Sequence, residues 1–264
     1  MNTAAEFLII AKSDLKAAQC LYDSELYPQA IFFLHQAIEK MTKAFGALSL
    51  DMKPELLKQK IGHFPHKIFL IYLQRATESY LSENKSAINS TTISPSIPNN
   101  RNDELSQIKM MLENITKFEG FNQYVLATQL TPTLEQVRNS KMPRELNHII
   151  EEFLACIENS LNQQNDKIVA YNKDIIFSLI RKIIEDLIQA VNPLVVLVVA
   201  LPASCAQNTR YPMGKSNPLQ LYNGSHPIVK KFDHIAEICA FTIERIENIV
   251  DGIQQLYRIG VKYE

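Results

Sequence analysis

The segment Pro28-Gln-Ala-Ile-Phe-Phe-Leu-His-Gln-Ala-Ile-Glu-Lys-Met-Thr-Lys-Ala-Phe-Gly-Ala-Leu48 decides the fold. Within it Ile31, Leu34, Ile38, Met41, Phe45 and Leu48 recur at intervals of 3, 4, 3, 4 and 3 residues. Side chains spaced in this way line one face of an α-helix and demand burial against other helices. Beside that face stand His35, Gln36, Glu39, Lys40 and Lys43, a polar set more specific than solubility requires.

Reading outward, the same period appears on both sides. Upstream, Ala4, Leu8, Ala11, Leu15, Ala18 and Tyr22 form a second helical stripe, and Thr3-Ala-Ala-Glu6 has the spacing of a capping box. Asp23 to Tyr27 is a short turn, and Pro28 suits a helix start because its missing N–H would be unpaired there. So short a connection forces the two helices to pack side by side. Downstream, a third helix is predicted from near Pro65 through Ile68, Phe69, Tyr72 and Leu73 towards Leu81.

Residues 82–102 consist mostly of Ser, Asn, Thr and Pro, with Ile88, Ile93 and Ile97 as the only large apolar side chains. Such a stretch buries too little surface to offset its ordering entropy, so a flexible loop or linker is expected. Helical patterns resume with Asp103 as N-cap and Gly120 as C-cap, continue from Pro143 through Leu161, and then from Asp166 to Val191. Asn192-Pro193 is expected to stop that helix. After a turn-rich stretch from Gln207 to Ser225, Pro227 opens a last helix reaching about Tyr257, with Ile228, Phe232, Ile235, Ile238, Phe241, Ile246 and Ile249 apolar. No segment alternates convincingly with the period of a strand. The expectation is an all-α, up-and-down helical bundle elaborated by additional helices.

Composition sets the outer limits. The chain has 264 residues, 46% hydrophobic and 21% charged, which is the balance of a globular protein. A net charge of −1 supplies no overall field for nucleic acid or membranes. With 7 glycines, Gly-rich phosphate loops and turn-dense β folds are disfavoured. Cys20, Cys156, Cys205 and Cys239 are far apart and offer no CxxC pair. No HExxH pattern or other ligand set is present, so neither metal nor cofactor is expected. The start lacks a signal-peptide pattern, and the apolar run Leu194 to Ala206 is short and interrupted by Pro202. A cytoplasmic protein without membrane contact is expected.

Ala11-Lys-Ser-Asp-Leu-Lys-Ala-Ala18, a short turn, and Ala30-x-Phe-Phe-Leu-His-Gln-Ala-Ile-Glu-Lys-x-x-Lys-Ala44 together resemble the HEPN (higher eukaryotes and prokaryotes nucleotide-binding) domain family. Thr209-Arg-Tyr-Pro212 followed by a terminal amphipathic helix is similar to the last third of that family. The resemblance covers roughly residues 3 to 80 and 190 to 258. It divides the chain into N-terminal helices at 1–81, the linker 82–102, a helical insertion at 103–190, and C-terminal helices at 191–264 that complete the same bundle. It implies a homodimer, and a toxin–antitoxin or defence setting with a nucleotidyltransferase protein as partner. It also implies work on RNA or nucleotides, in some members as metal-independent ribonucleases with an Arg and a His separated by four to six residues. The present chain departs from that ribonuclease pattern. The nearest approach is Arg144-Glu-Leu-Asn-His148, one residue too short and inside the insertion.

Three classes of function follow from these residues. The leading one is a binding protein for RNA, nucleotide or a nucleotidyltransferase partner, with Lys40, Lys43, Arg210 and Tyr211 as contacts. Lysines and arginines meet phosphates, and a tyrosine ring stacks a base. The second is a metal-independent ribonuclease with an atypical centre, for which His35, His148 or His226 would be the base and an Arg such as Arg144 the electrostatic stabiliser. In that reading His35 and Glu39, one turn apart, form an acid–base pair. The third is a helical scaffold for protein partners. His63-Phe-Pro-His66 reads as a capping or surface element, and the Lys53, Lys58 and Lys60 stretch as a solvated face.

Overall fold

In a computed structural model of the chain, residues 2–50, 52–72, 74–75, 110, 119–139, 147–148, 150–155, 157, 173–210 and 217–259 are described. Every element among them is a helix, and together they form a bundle. The expected linker at 82–102 lies outside the described residues.

Helices α1 (Asn2–Asp23) and α2 (Tyr27–Ser49) form the N-terminal hairpin. The helix begins one residue before Thr3, which therefore lies within the first turn rather than capping it from outside. The turn closes with Leu26 N–H donating to Leu21 O and Glu25 N–H to Tyr22 O, both at 2.9 Å. This is the Schellman pattern, which needs a left-handed residue. Here Glu25 fills that place with φ 59°. Pro28 sits in the first turn of α2, as its missing donor allows.

α2 is the centre of the molecule. Ala30, Ile31, Leu34, Ala37, Ile38, Met41 and Ala44 are wholly buried, and Phe45 almost so. Leu48, expected on the same stripe, is only half-buried. Each fully buried aliphatic side chain of this size contributes about 1.5–3 kcal/mol, so the stripe alone accounts for the helix's placement. Around α2 lie α1, α6 (Lys173–Ala200), α7 (Ala203–Asn208), α8 (Pro218–Leu221), α9 (Pro227–Lys230) and α10 (Phe232–Arg258). α3 (Pro54–Leu56) runs into a wide π-helical turn at Leu57–Ile61, whose Leu57 and Ile61 bury against α2. Gly46 makes this possible, since a Cβ there would stand 2.6 Å from Ile68 Cδ1.

α4 (Glu119–Thr128) and α5 (Leu130–Asn139) pack on α6, and α5 also on α10, where Arg138 forks onto Glu237 at 2.9 and 3.1 Å. Gly120, expected to end a helix, lies in the first turn of α4 instead. Pro193 does not stop α6 either: the helix passes through it to Ala200. A proline inside a helix costs about 3 kcal/mol. Ala190, Leu194, Leu197, Val198 and Ala200 continue one buried stripe across it, and their burial outweighs that cost. The apolar run therefore belongs to a much longer helix. From Asp174 to Ala200 it is the one described helix long and apolar enough to cross a membrane by length and composition. It lies along α10, to which Asp186 is tied by Arg245 at 2.9 Å. The last helix, expected as one piece from Pro227, is broken at Lys231 into α9 and α10.

Candidate functional site

The polar side of α2 carries a buried carboxylate. Glu39 is 1% exposed, and both its oxygens are engaged. Oε1 accepts from Lys43 Nζ at 2.6 Å and lies 3.5 Å from Lys40 Nζ, while Oε2 faces His63 Nδ1 at 3.0 Å. Lys40 Nζ donates in turn to Gln36 Oε1 at 3.0 Å. Burial by itself would push the Glu39 carboxyl up. Hydrogen bonds from Lys43 and His63, with the charges of Lys40 and Lys43, overcome it and bring the carboxyl down to about 2. A buried charge of this kind is tolerated because it is paired and fully hydrogen-bonded.

The neighbours come from four places in the chain. Asp14 on α1 faces Lys40 and Glu39, and burial raises its pKa despite the lysine. His63 follows Gly62, whose φ of +56° and ψ of −123° turn the chain back towards α2. Arg210 arrives from the turn after α7, where its guanidinium carbon lies 4.8 Å from the centre of the Phe32 ring. His35, one turn before Glu39, is entirely buried. Its burial lowers the imidazole pKa to about 4; Glu39 opposes the shift, and Lys40, His63 and Arg210 add to it.

His35, Lys40, Lys43 and Arg210 are thus brought to one side of α2. Tyr211 and Arg144 lie outside the described residues. The expected His35–Glu39 acid–base pair is not formed: Glu39 bonds Lys43 and faces His63, while neither ring nitrogen of His35 has a hydrogen-bond partner among the described residues. A charged donor one turn along the same helix makes the stronger hydrogen bond. His148 is exposed and pairs with Glu152 at 3.4 Å, and no described contact joins it to α2. His226 caps α9: its Nδ1 accepts from Ile228 N–H at 3.2 Å. Lys53, Lys58 and Lys60 are exposed. The sequence reading missed His63 and Asp14, and Gly62 before His63 was the one local signal of a chain reversal. Among the described residues no group of three or more His, Cys, Asp or Glu is placed to hold a metal ion.

The arrangement defines an all-α bundle whose central helix presents a cation-rich polar face around one buried carboxylate. The family model of the HEPN domain matches residues 4–50, the stretch made of α1, the turn and α2. No curated protein and no solved structure matches the chain.

Proposed function

We propose that the protein binds a phosphate-bearing ligand, RNA or a nucleotide, on the polar face of α2, and that it binds rather than cleaves. The observation that carries this reading is the convergence of Lys40, Lys43, His63 and Arg210, from three separate segments, on one side of α2. Arg210 and His63 are exposed, so a ligand reaches them without unfolding the bundle. The HEPN match of the same helices supports a nucleotide-related role.

Cleavage fits the geometry less well. His35 and Glu39 do not form the acid–base pair that cleavage would use, and an imidazole with a pKa near 4 is a weak base at neutral pH. Fluorescence anisotropy with a short single-stranded RNA, across a salt series, tests the reading. Lys40→Ala and Arg210→Ala are each expected to lower the salt slope by roughly one unit, the signature of a lost phosphate contact. RNA cleavage in EDTA that disappears in His35→Ala would replace this reading by the ribonuclease one. A folded protein that binds no nucleic acid or nucleotide points instead to a protein partner, such as a nucleotidyltransferase.

We also propose that two copies associate through the open face of α1. Ile9 is 67% exposed and Ile10 44%, and Glu6, Ile9, Ser13 and Lys16 form one helical stripe. In an antiparallel pair of such helices Glu6 meets the partner's Lys16 twice, with the isoleucines between them. The pairing is self-complementary, as a two-fold interface requires.

A further inference from the structure

Along α2 the buried polar groups are paired, with a single exception. Glu39 and Lys43 bond each other, and the Thr42 hydroxyl donates to Ile38 O at 2.7 Å. His35 is as deeply buried as any of them, yet neither Nδ1 nor Nε2 has a hydrogen-bond partner among the described residues. A buried polar atom without a partner gives up its hydrogen bonds to water and gains none in return, and a leucine at this position would avoid that loss. Buried groups of this kind call for a partner that arrives from outside the fold.

The chemistry of the ring limits what that partner is. An uncharged imidazole offers one N–H donor and one acceptor nitrogen, and no charge for a phosphate. The cations beside it supply the charge: Lys40 and Arg210 both bear electrostatically on the His35 ring. A ligand fitting both features carries an anionic end and, close by, an uncharged hydrogen-bonding edge. The Arg210 side chain lies on Phe32, three positions before His35 on the same helix. Both His63 and Arg210 are exposed, whereas Lys43 and Glu39 are locked inside.

We infer that His35 hydrogen-bonds the uncharged nucleoside part of a nucleotide, a base edge or a ribose hydroxyl, whose phosphate lies against Lys40 and Arg210. Because His35 is buried in the free protein, side chains around it must move for the ligand to reach it. The inference rests on the phosphate-ligand reading above and narrows it to nucleoside phosphates, against inorganic phosphate or a bare anion.

The test separates a ligand role from a packing role, because the two move stability in opposite directions. His35→Leu is expected to raise Tm, since it removes two unsatisfied nitrogens, and to weaken AMP binding by roughly tenfold, the effect of losing one neutral hydrogen bond. His35→Gln, which keeps a donor and an acceptor, is expected to retain most of the affinity. Binding of inorganic phosphate is expected to be the same in all three proteins. Ribose 5-phosphate decides the source: sensitivity to His35→Leu assigns the contact to a ribose hydroxyl, and sensitivity of AMP alone assigns it to the base. Should the leucine variant fail to fold, the ¹⁵N signals of the His35 ring in the wild-type protein are expected to shift on addition of AMP. Unchanged AMP affinity in His35→Leu, or unmoved ring signals, overturns the inference and leaves the phosphate reading standing. If Lys40→Ala and Arg210→Ala leave every affinity unchanged, or wild type binds none of the probes, the phosphate reading falls and the inference falls with it.

Discussion

Two side chains one turn apart on α2 make the stability of this protein fall with acid, for opposite chemical reasons. His35 is held neutral, its pKa down from 6.5 to about 4, so between those values the unfolded chain takes up a proton that the folded one refuses. Glu39 is held ionised, its pKa down from 4.5 to about 2, and it acts in the same sense over that lower range. Wherever the unfolded state binds more protons, stability rises with pH. The contribution of His35 is therefore complete above about pH 6.5 and lost as pH falls towards 4, and that of Glu39 is complete above 4.5 and lost towards 2. Urea melts across this range are expected to show the midpoint falling from neutral pH downwards. In His35→Leu the decline between 6.5 and 4.5 should be shallower, with the remainder left to His226, whose burial also lowers its pKa, and the part below 4.5 retained; an unchanged profile in that variant would show that the burial of His35 is not its cause. Breaking the Glu39–Lys43 pair is a larger perturbation. Glu39→Ala leaves a buried lysine uncompensated and is expected to cost about 3–5 kcal/mol. At this scale His35, Lys40 and Lys43 were legible in the sequence because one helical period places them. Arg210 was grouped with these lysines, whereas His63 was not legible as a neighbour of Glu39, since only tertiary packing brings the segment after Gly62 to α2.

Helices were easy to find from their apolar period, and their ends were not. The stripe of α2 is buried almost as read, because a 3.6-residue period admits one inward face. Local stop signals failed wherever packing outweighed them. Pro193 is overrun by the buried stripe that continues past it, and Gly120 is absorbed into the first turn of α4. The α1–α2 turn shows the reverse case, a local strain retained. Glu25 occupies a left-handed position that costs an ordinary residue about 1–2 kcal/mol. Glycine removes that strain, though it also enlarges the freedom of the unfolded chain. Glu25→Gly is therefore expected to stabilise the protein by about 0.5–1 kcal/mol in denaturant melts, with ligand binding unaffected. A loss of stability would mean that the glutamate side chain makes a compensating contact.

At the scale of the whole molecule, the fold class was plain from period and composition, and the association state was not. Every described element is helical and α2 touches most of the others, so the bundle has a single central axis. Ile9 and Ile10 of α1 leave a small apolar patch, flanked by Glu6 and Lys16, on the outside of that bundle. Light scattering at micromolar concentration is expected to give a dimer, and Ile9→Lys a monomer with an unchanged circular dichroism spectrum. Exchanging the charges in Glu6→Lys with Lys16→Glu should preserve the dimer, because an antiparallel pair reads the same after the swap. A monomeric wild type would remove the α1 face as an interface.

Gly46 bears on which substitutions this protein accommodates. Its missing Cβ leaves room for the end of Ile68 and for Leu57, both belonging to the segment that carries His63 to Glu39. A Cβ at 46 would stand 2.6 Å from Ile68 Cδ1, so the end of the Ile68 side chain would have to turn away, and a valine at 68 lacks that atom. The two positions therefore depend on each other: Gly46→Ala is expected to be accommodated more easily together with Ile68→Val than alone, read as the difference in Tm between the two variants.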